Sequence, residues 1–340
     1  MNKIFAKITG IGMYVPDYVL TNDELSRMVD TSDEWIMTRI GIKERHILKE
    51  KGLGTSFLAA KAMEQLLKKT HTKPEEIDAV VCATVTPDHN FPSTAILAAE
   101  RVGIKNAYAY DLSAACSGFT FGLENAAALI ESGKYKKVIL IGADKLSAFV
   151  DYTDRSICPL FGDGAGAVLL EPTEEEIGLI DAKLYTDGAG YPHLHLKAGG
   201  SVFPASHETV DAKQHYIYQE GQVVFKYAVT RMADVSEEIM QRNNLTHDDI
   251  AWLVPHQANL RIIDAVANRM GLAKEKVMVN IEKFGNTTAA TLPLCLAEWE
   301  PKLRKGDKII LTTFGGGFTW GSAYVIWAYN GDEVVVPSKK

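Results

Sequence analysis

The stretch AYAYDLSAACSGFTFGLENAAALIESGKYKKVILIGA, residues 107–143, contains an apolar strand pattern, a helical pattern and a second strand pattern in succession. Its outer segments, 107–113 and 137–143, are short and apolar, whereas 117–132 repeats its apolar residues at helical spacing. A strand, a helix and a strand in this order are typical of α/β layers, in which the strands form a largely parallel sheet. The stretch therefore predicts an α/β fold.

The same alternation extends towards both ends of the chain. Other apolar runs of strand length are 77–85, 166–171, 251–255, 276–281, 308–313 and 322–329. Helical patterns lie between them, at 55–70, 93–102, 223–243, 259–270 and 287–300. The α/β prediction thus covers most of the sequence rather than one segment of it.

The order of these elements repeats once. In the first half a helical pattern ends near Gly103, and a strand pattern then leads to Cys116, 13 positions later. In the second half a helical pattern ends near Gly271, and a strand pattern leads to Asn286, 15 positions later. This weak internal similarity predicts a chain built from two related halves.

We place the boundary between the halves at the polar segment PTEEE, residues 172–176. The N-terminal half, 1–172, then carries Cys116, and the C-terminal half, 173–340, carries a histidine and an asparagine discussed below. Segment 185–220 fits neither half. Because it is rich in glycine and histidine, we interpret it as an insertion near a pocket.

Charge and cysteine content exclude several classes of protein. With 36 basic and 43 acidic residues the net charge is −7, whereas a general nucleic-acid binder normally has a basic excess. The cysteines are widely spaced, as expected for free thiols in a reducing compartment; they are Cys82, Cys116, Cys158 and Cys295. We see neither a secretory leader pattern nor an apolar run of membrane-spanning length, and expect a cytoplasmic protein that binds neither nucleic acid nor membrane.

Cys116 lies where a predicted strand gives way to a predicted helix, among the small residues of SAACSG. A thiol at a helix N-terminus is close to free N–H groups and to the positive end of the helix dipole. Both favour the thiolate and predict a lowered pKa, as in reactive cysteines. The alternative is a buried, inert cysteine, and we assign the other three cysteines to that class.

Two further residues stand at comparable junctions in the second half. His256 follows the strand pattern of AWLVP, and Asn286 lies in FGNTTAA, before the next helical pattern. Ligands gather at the carboxyl ends of strands in open α/β sheets, so packing of the two halves can bring both residues to Cys116. A cysteine, an imidazole and an amide suffice for catalysis through a thioester. Taken singly, each has a plainer interpretation as a cap or turn residue.

A glycine-rich run, FGGGFTWG at 314–321, lies between two strand patterns. Such a run lets the backbone approach a ligand closely, and we interpret it as half of an oxyanion hole formed by the N–H groups of Cys116 and Gly316. The alternative is a tight hairpin, which we favour for the similar run FGDGAGA at 161–167. Neither run has the strand–turn–helix setting of a dinucleotide site.

With these residues assembled, the chain closely resembles the 3-oxoacyl-[acyl-carrier-protein] synthase III family over almost its whole length. The motifs in this order are specific as a set. They are TSDEWIMTRIGI (31–42), AACSGF (114–119), DRSICPLFGDGAGA (154–167), VPHQANLRI (254–262), FGNTTAA (284–290) and FGGGFTWGSA (314–323).

The resemblance implies a thiolase-like fold of five layers, αβαβα, and a homodimer. It also implies a ping-pong reaction in which Cys116 accepts an acyl group from acyl-CoA, with acetyl-CoA as the default primer. Malonyl-ACP then loses CO2, and its carbanion attacks the acyl-Cys116 thioester, helped by donors from His256 and Asn286. The product is 3-oxoacyl-ACP, and the reaction starts fatty-acid synthesis without a metal or redox cofactor.

The resemblance further implies contacts for both substrates. Family residues that bind CoA match Trp35, Arg39 and Arg155. Phe91 matches a residue that closes the acyl pocket of the partner subunit, and Phe225 is a further candidate for the pocket lining.

The family's carrier-protein contact segment matches Gln257, Ala258, Asn259, Leu260 and Arg261. Arg269 lies on the same predicted helix face as Arg261, and Lys274 and Lys276 extend the basic patch. Since acyl carrier proteins are acidic, such a patch favours docking.

Two positions depart from the family pattern, because Gln222 stands where asparagine is expected and Thr288 where serine is more common. The alternatives left open are a Cys–His–Asn hydrolase, a non-catalytic acyl- or CoA-binding protein, and a related synthase of polyketides, quinolones or long-chain ketones.

Overall fold

A computed structural model describes residues 3–333 of the chain. These residues form strands β1 to β13, at Phe5–Tyr14, Val19–Thr21, Glu44–His46, Ala79–Ala83, Tyr108–Leu112, Val138–Lys145, Asp163–Thr173, Gly178–Thr186, Leu194–Leu196, Ile217–Gln219, Trp252–Pro255, Lys308–Gly315 and Thr319–Ile326. Helices α1 to α10 are Asn22–Ser26, Asp33–Arg39, Thr55–Thr70, Thr94–Arg101, Gly118–Glu131, His207–Asp211, Gly221–Arg242, Leu260–Arg269, Ile281–Phe284 and Thr291–Trp299.

Two large sheets organise the molecule. The first has the strand order β1-β7-β6-β4-β5 and the second β11-β12-β13-β8. Only β6, β4 and β5 run parallel in the first sheet, and only β11 and β12 in the second. The prediction of a largely parallel sheet is therefore wrong, since β7 pairs antiparallel with β1 and β6, and β13 pairs antiparallel with β12 and β8. The tight turn between Gly315 and Thr319 imposes this direction on β12 and β13.

The two sheets repeat one topology. In the first half β4 pairs with β6 on one side and with β5 on the other. In the second half β11 pairs with β12, and the place of β5 is taken by a single parallel bridge between Leu253 and Val277. The internal duplication inferred from element order is thus present in the strand order. The boundary between 1–172 and 173–340 stays a prediction, and residues 1, 2 and 334–340 lie outside the described chain.

The predicted strand at 276–281 is wrong apart from that bridge. The buried side chain of Gln257 satisfies the backbone there: its Oε1 accepts hydrogen bonds from the N–H groups of Asn280 and Ile281, and its Nε2 donates to Met278 O. A segment whose backbone groups bond to a side chain does not need a strand ladder.

Helices and sheets alternate in five layers, which confirms the predicted αβαβα architecture. Helices α3 and α4 cover the outer face of the first sheet, α5 and α10 lie between the sheets, and α7 and α8 cover the outer face of the second sheet. The middle helix α5 is apolar on most sides and packs closely, since a Cβ on Gly122 would lie 2.5 Å from Leu140. By contrast α7 buries one face, at Val224, Ala228, Met232, Val235 and Ile239.

Most predicted helices match the observed ones closely, and α3 has the expected bounds, Thr55–Thr70. Helix α10 starts later than the predicted 287, because Thr288–Ala290 forms a 3₁₀ turn in which Thr288 has a φ of 55°. Segment 185–220 contains the small β9–β10 pair and α6. Among the described helices, none is both long and apolar enough to span a bilayer.

Candidate active site

A cavity of about 750 Å³ brings together the three residues singled out from the sequence, Cys116, His256 and Asn286. Cys116 follows β5 and His256 follows β11, so both lie at the carboxyl ends of strands, one from each half. The insertion also contributes to the wall, through Leu194, His195, Leu196, Ile217 and Gln219. Its predicted position near a pocket is therefore confirmed.

Cys116 occupies a 3₁₀ turn, Ala115–Ser117, that leads directly into α5 at Gly118. Ala115 has a φ of 48°, in the left-handed region that a non-glycine residue rarely adopts. The predicted position of Cys116 at a helix N-terminus is correct.

The predicted lowering of the Cys116 pKa is wrong. Burial raises the pKa of this thiol to about 12, and the negative charge of Asp144 acts in the same direction. The backbone N–H of Cys116 opposes the shift and does not overcome it. Desolvation of the charged form therefore outweighs the backbone N–H, and the thiol of the free protein is neutral near pH 7.

Alkylation of Cys116 by iodoacetamide is expected to accelerate by about tenfold for each pH unit between roughly pH 6.5 and 9.5, without a plateau. A raised pKa means that the thiolate stays a minor species over this whole range. Peptide mapping by mass spectrometry would follow the reaction, with Cys116→Ser as the blank. A plateau near pH 7 would show that the helix terminus dominates after all.

His256 is buried, and desolvation lowers its pKa to about 3, so its imidazole is neutral near pH 7. Its Nδ1 lies 2.7 Å from Oγ1 of Thr291, a residue of α10. The same hydroxyl donates to Thr288 O at 3.0 Å, and because it has one proton, it then accepts from Nδ1–H. When the hydroxyl turns to donate to Nδ1 instead, the ring proton is on Nε2. Only in this second arrangement does His256 offer an N–H donor to a ligand in the cavity.

Asn286 is held by backbone bonds to the first half: its N–H donates to Leu160 O, and its carbonyl accepts from Gly162 N–H. Its side-chain Oδ1 accepts from the N–H of Thr288 at 2.9 Å, which leaves the Nδ2 protons for a ligand. The run 161–167 is therefore the start of β7 passing beside Asn286, and the hairpin interpretation of that run is wrong.

Asp144, which was not predicted from the sequence, accepts hydrogen bonds from both halves of the chain beside the site. Its buried Oδ1 accepts hydrogen bonds from the segment Thr84–Thr86, and its Oδ2 from the N–H of Ala289 at 3.2 Å. Burial raises its pKa to about 6 against these donors. An aspartate at a strand end has no distinctive pattern, so only its contacts identify it.

The glycine run 314–321 is both a hairpin and a wall of the site, so the two interpretations are compatible. Gly315 and Gly316 line the cavity at the turn between β12 and β13. A Cβ on Gly315 would lie 2.6 Å from Cys116 N, so this close approach requires glycine. The oxyanion hole of Cys116 and Gly316 stays a prediction.

The three residues matched to CoA contacts lie together. The guanidinium of Arg39 is 5.4 Å from the Trp35 ring centre and that of Arg155 is 5.9 Å from it. Trp35 and Arg39 line the cavity, and Arg155 forms an ion pair of 2.9 Å with Asp30. An aromatic ring with two cations beside it suits a nucleotide with phosphates.

The two phenylalanines assigned to the acyl pocket lie apart. Phe225 lines the cavity, and the exposed Arg261 covers its ring at 5.4 Å, so it lies towards the mouth. Phe91 is 85 % exposed. The wall also contains the buried Phe314 and Leu146, which were not predicted there because their sequence patterns indicate only a core.

Most residues of the segment matched to the carrier-protein contact are buried or bonded to other parts of the same chain. The side chain of Gln257 is buried, so its assignment as a surface contact is wrong. Asn259 caps α8 and donates to Arg39 O, and Leu260 N–H donates to Ile40 O, while Ala258 lines the cavity.

Arg269 forms an ion pair of 2.7 Å with Asp234. Arg261 is exposed at the mouth and presents its cation there. Of the two arginines, Arg261 is therefore the one with a charge available to an acidic partner.

Comparison with known proteins adds independent findings. Residues 110–188 match the family model "3-Oxoacyl-[acyl-carrier-protein (ACP)] synthase III" and residues 240–327 the model of its C-terminal part. The chain is 62 % identical to Beta-ketoacyl-[acyl-carrier-protein] synthase III 2 of Bacteroides thetaiotaomicron, over 98 % of this chain and 99 % of that one. It is 60 % identical to the synthase III of Phocaeicola vulgatus, over 98 % and 100 %.

Solved structures are similar to this chain over nearly its whole length. The crystal structure of 3-oxoacyl-[acyl-carrier-protein] synthase III from Aquifex aeolicus superposes with a TM-score of 0.87 at 43 % identity, covering 95 % of this chain and all of that one. The priming beta-ketosynthase of the R1128 polyketide pathway gives 0.89 at 30 % identity, over 97 % and 98 %. The similarity therefore spans both halves and the whole cavity.

Proposed function

This chain belongs to the 3-oxoacyl-[acyl-carrier-protein] synthase III family, and we propose that Cys116 is the residue that carries the acyl group in its reaction. The chain condenses an acyl-CoA with malonyl-ACP to 3-oxoacyl-ACP, CoA and CO2, the initiating step of fatty-acid synthesis. The hydrolase and the non-catalytic alternatives are excluded by this membership. The observation that supports the nucleophile is the convergence of Cys116, His256 and Asn286 on one cavity.

In the first half-reaction the Cys116 sulfur attacks the acyl carbonyl carbon of acyl-CoA. The bond between that carbon and the CoA sulfur breaks, and the proton lost by Cys116 ends on CoA, which leaves as the thiol. Because burial raises the pKa of the free thiol, this half-reaction includes the loss of the Cys116 proton. The acyl group is then held as a thioester on Cys116.

In the second half-reaction malonyl-ACP loses CO2, and the electron pair of the broken bond forms an enolate on the thioester. Nδ2 of Asn286 supplies one N–H donor for the enolate oxygen, supported by the contact of its Oδ1 to Thr288. Nε2 of His256 supplies a second donor when the Thr291 hydroxyl donates to Nδ1. The enolate carbon attacks the acyl carbonyl, and Cys116 leaves as a thiolate that takes a proton from solvent. The sequence of steps balances without a metal or redox cofactor, and we expect none.

Arg261 is proposed as a docking residue for the acidic carrier protein. Replacing Arg261 with glutamine should lower kcat/KM for malonyl-ACP about fivefold or more at low salt, with acyl transfer from acetyl-CoA changed less than about twofold. Steady-state rates at two salt concentrations would measure both.

Arg269→Gln is the matched control on the same helix, because Asp234 already neutralises Arg269. Equal loss with both substrates, or equal loss in the two variants, would contradict the docking role of Arg261.

A homodimer is the assembly we propose. β5 lies at the edge of the first sheet with one side unpaired in the described chain, and Phe91, Ile96 and Tyr108 nearby in sequence are exposed. An edge strand of this kind is a surface on which a second copy can pair. Phe91 would then reach the partner's cavity, as the family resemblance implies.

We propose acetyl-CoA as the default primer. The rates of acyl transfer to Cys116 from acyl-CoAs of different length and branching would distinguish it from longer or branched primers. We also propose a cytoplasmic location, supported by the free state of all four cysteines.

A further inference from the structure

Two hydroxyl side chains join the turn that carries Cys116 to the glycine turn of the opposite half. Oγ of Ser117 donates to Thr319 O at 3.1 Å, and Oγ1 of Thr319 donates to Ala114 O at 2.9 Å. The same Thr319 hydroxyl lies 3.2 Å from Gly316 O. The two turns are thus joined by hydrogen bonds in both directions, and Thr319 contacts a carbonyl in each turn.

The geometry of these two turns depends on their buried contacts. Ser117 and Thr319 are both buried, so water does not replace a lost hydrogen bond without rearrangement. The carbonyl of Ala114 precedes Ala115, whose φ of 48° is strained and sets the direction of the Cys116 N–H. Gly315 packs directly on Cys116, as its close contact shows.

We propose that Thr319 is a positioning residue that holds the N–H groups of Cys116 and Gly316 at the geometry required for the oxyanion. The inference rests on the proposed function, because it assigns Thr319 to the step in which the acyl carbonyl becomes tetrahedral. The enolate has different donors, His256 and Asn286, whose contacts do not include Thr319.

Because the enolate and the tetrahedral oxyanion have different donors, the enolate can form even where the oxyanion is poorly stabilised, and it then has two possible products. In the productive route its carbon attacks the acyl-Cys116 carbonyl, the C–Sγ bond breaks and 3-oxoacyl-ACP is released. If the oxyanion is poorly stabilised, the enolate instead takes a proton from solvent and becomes acetyl-ACP. Each route releases one CO2, so the ratio of 3-oxoacyl-ACP to CO2 measures how well the oxyanion site works.

The test uses full-length protein acetylated at Cys116 with acetyl-CoA and then given malonyl-ACP. In Thr319→Val, which removes the hydroxyl and keeps the shape, CO2 release should stay within about threefold of wild type. Formation of 3-oxoacyl-ACP should fall about 10- to 100-fold, with acetyl-ACP making up the difference. Thr319→Ser should restore the ratio, and Ser117→Ala should lower it in the same direction.

Ser322→Ala is the matched control, since Ser322 also donates a buried hydroxyl hydrogen bond from β13, to Leu311 O, away from Cys116. An unchanged product ratio in Thr319→Val, or a ratio lowered equally in Ser322→Ala, would overturn the inference. If wild type itself neither accepts the acetyl group on Cys116 nor releases CO2, the proposed function fails instead. If Thr319→Val folds poorly, Ser117→Ala is the deciding variant, and an unchanged product ratio in it would overturn the inference.

Discussion

Replacing Cys116 with serine should abolish the acyl-enzyme and lower the condensation rate by at least about 10³-fold. A serine hydroxyl is a much weaker acid than a thiol, and the site offers little to activate it. His256 is buried with its pKa lowered to about 3, so it is a weak base. Asp144, the buried carboxylate that influences Cys116, is already engaged by five hydrogen bonds.

Intact-protein mass spectrometry after mixing with acetyl-CoA would check this directly. Wild type should carry one acetyl group per chain, and Cys116→Ser none. Cys158→Ser is the matched control, because Cys158 is also a free buried cysteine near the cavity wall at Leu160. Acetylation of Cys116→Ser, or its loss in Cys158→Ser, would show that the nucleophile is assigned to the wrong residue.

His256→Ala and Asn286→Ala should each reduce decarboxylation of malonyl-ACP by about 10²-fold or more, while acetyl transfer to Cys116 falls by less than about tenfold. The reason is that their donors act on an oxygen that becomes negative only when CO2 leaves. Asn286→Asp should be as damaging as the alanine variant, although it keeps the size and the contact to Thr288 N–H. A carboxylate there has no N–H to donate and repels the enolate.

Single-turnover acetyl transfer and CO2 release from the acetylated enzyme separate the two steps. Full condensation in both alanine variants would refute the enolate role. Equal loss in the two steps would mean that these residues serve the acylation as well.

Much of the fold follows from patterns that act locally. The bounds of α3 and the position of Cys116 at the start of α5 were predictable because spacing and small residues decide them over a few turns. The repeated order of elements predicted two similar halves, with Cys116 and Asn286 at matching positions and His256 at the end of another strand. The pairing direction of the strands was not predictable in this way, since it depends on which strands become neighbours.

The candidate site likewise has features that the sequence determined and features that only the tertiary structure decided. Sequence by itself determined which residue types are present and in what order, because a motif is a property of the chain and survives any packing around it. Tertiary structure alone decided their chemical state: desolvation raises the pKa of Cys116 and lowers that of His256, against what a helix terminus or an isolated imidazole would give. It also buried Gln257 as a backbone partner and placed Thr319 against the Cys116 turn, more than 200 positions away along the chain. Burial and long-range contact depend on the whole folded chain, and no segment of the sequence contains them.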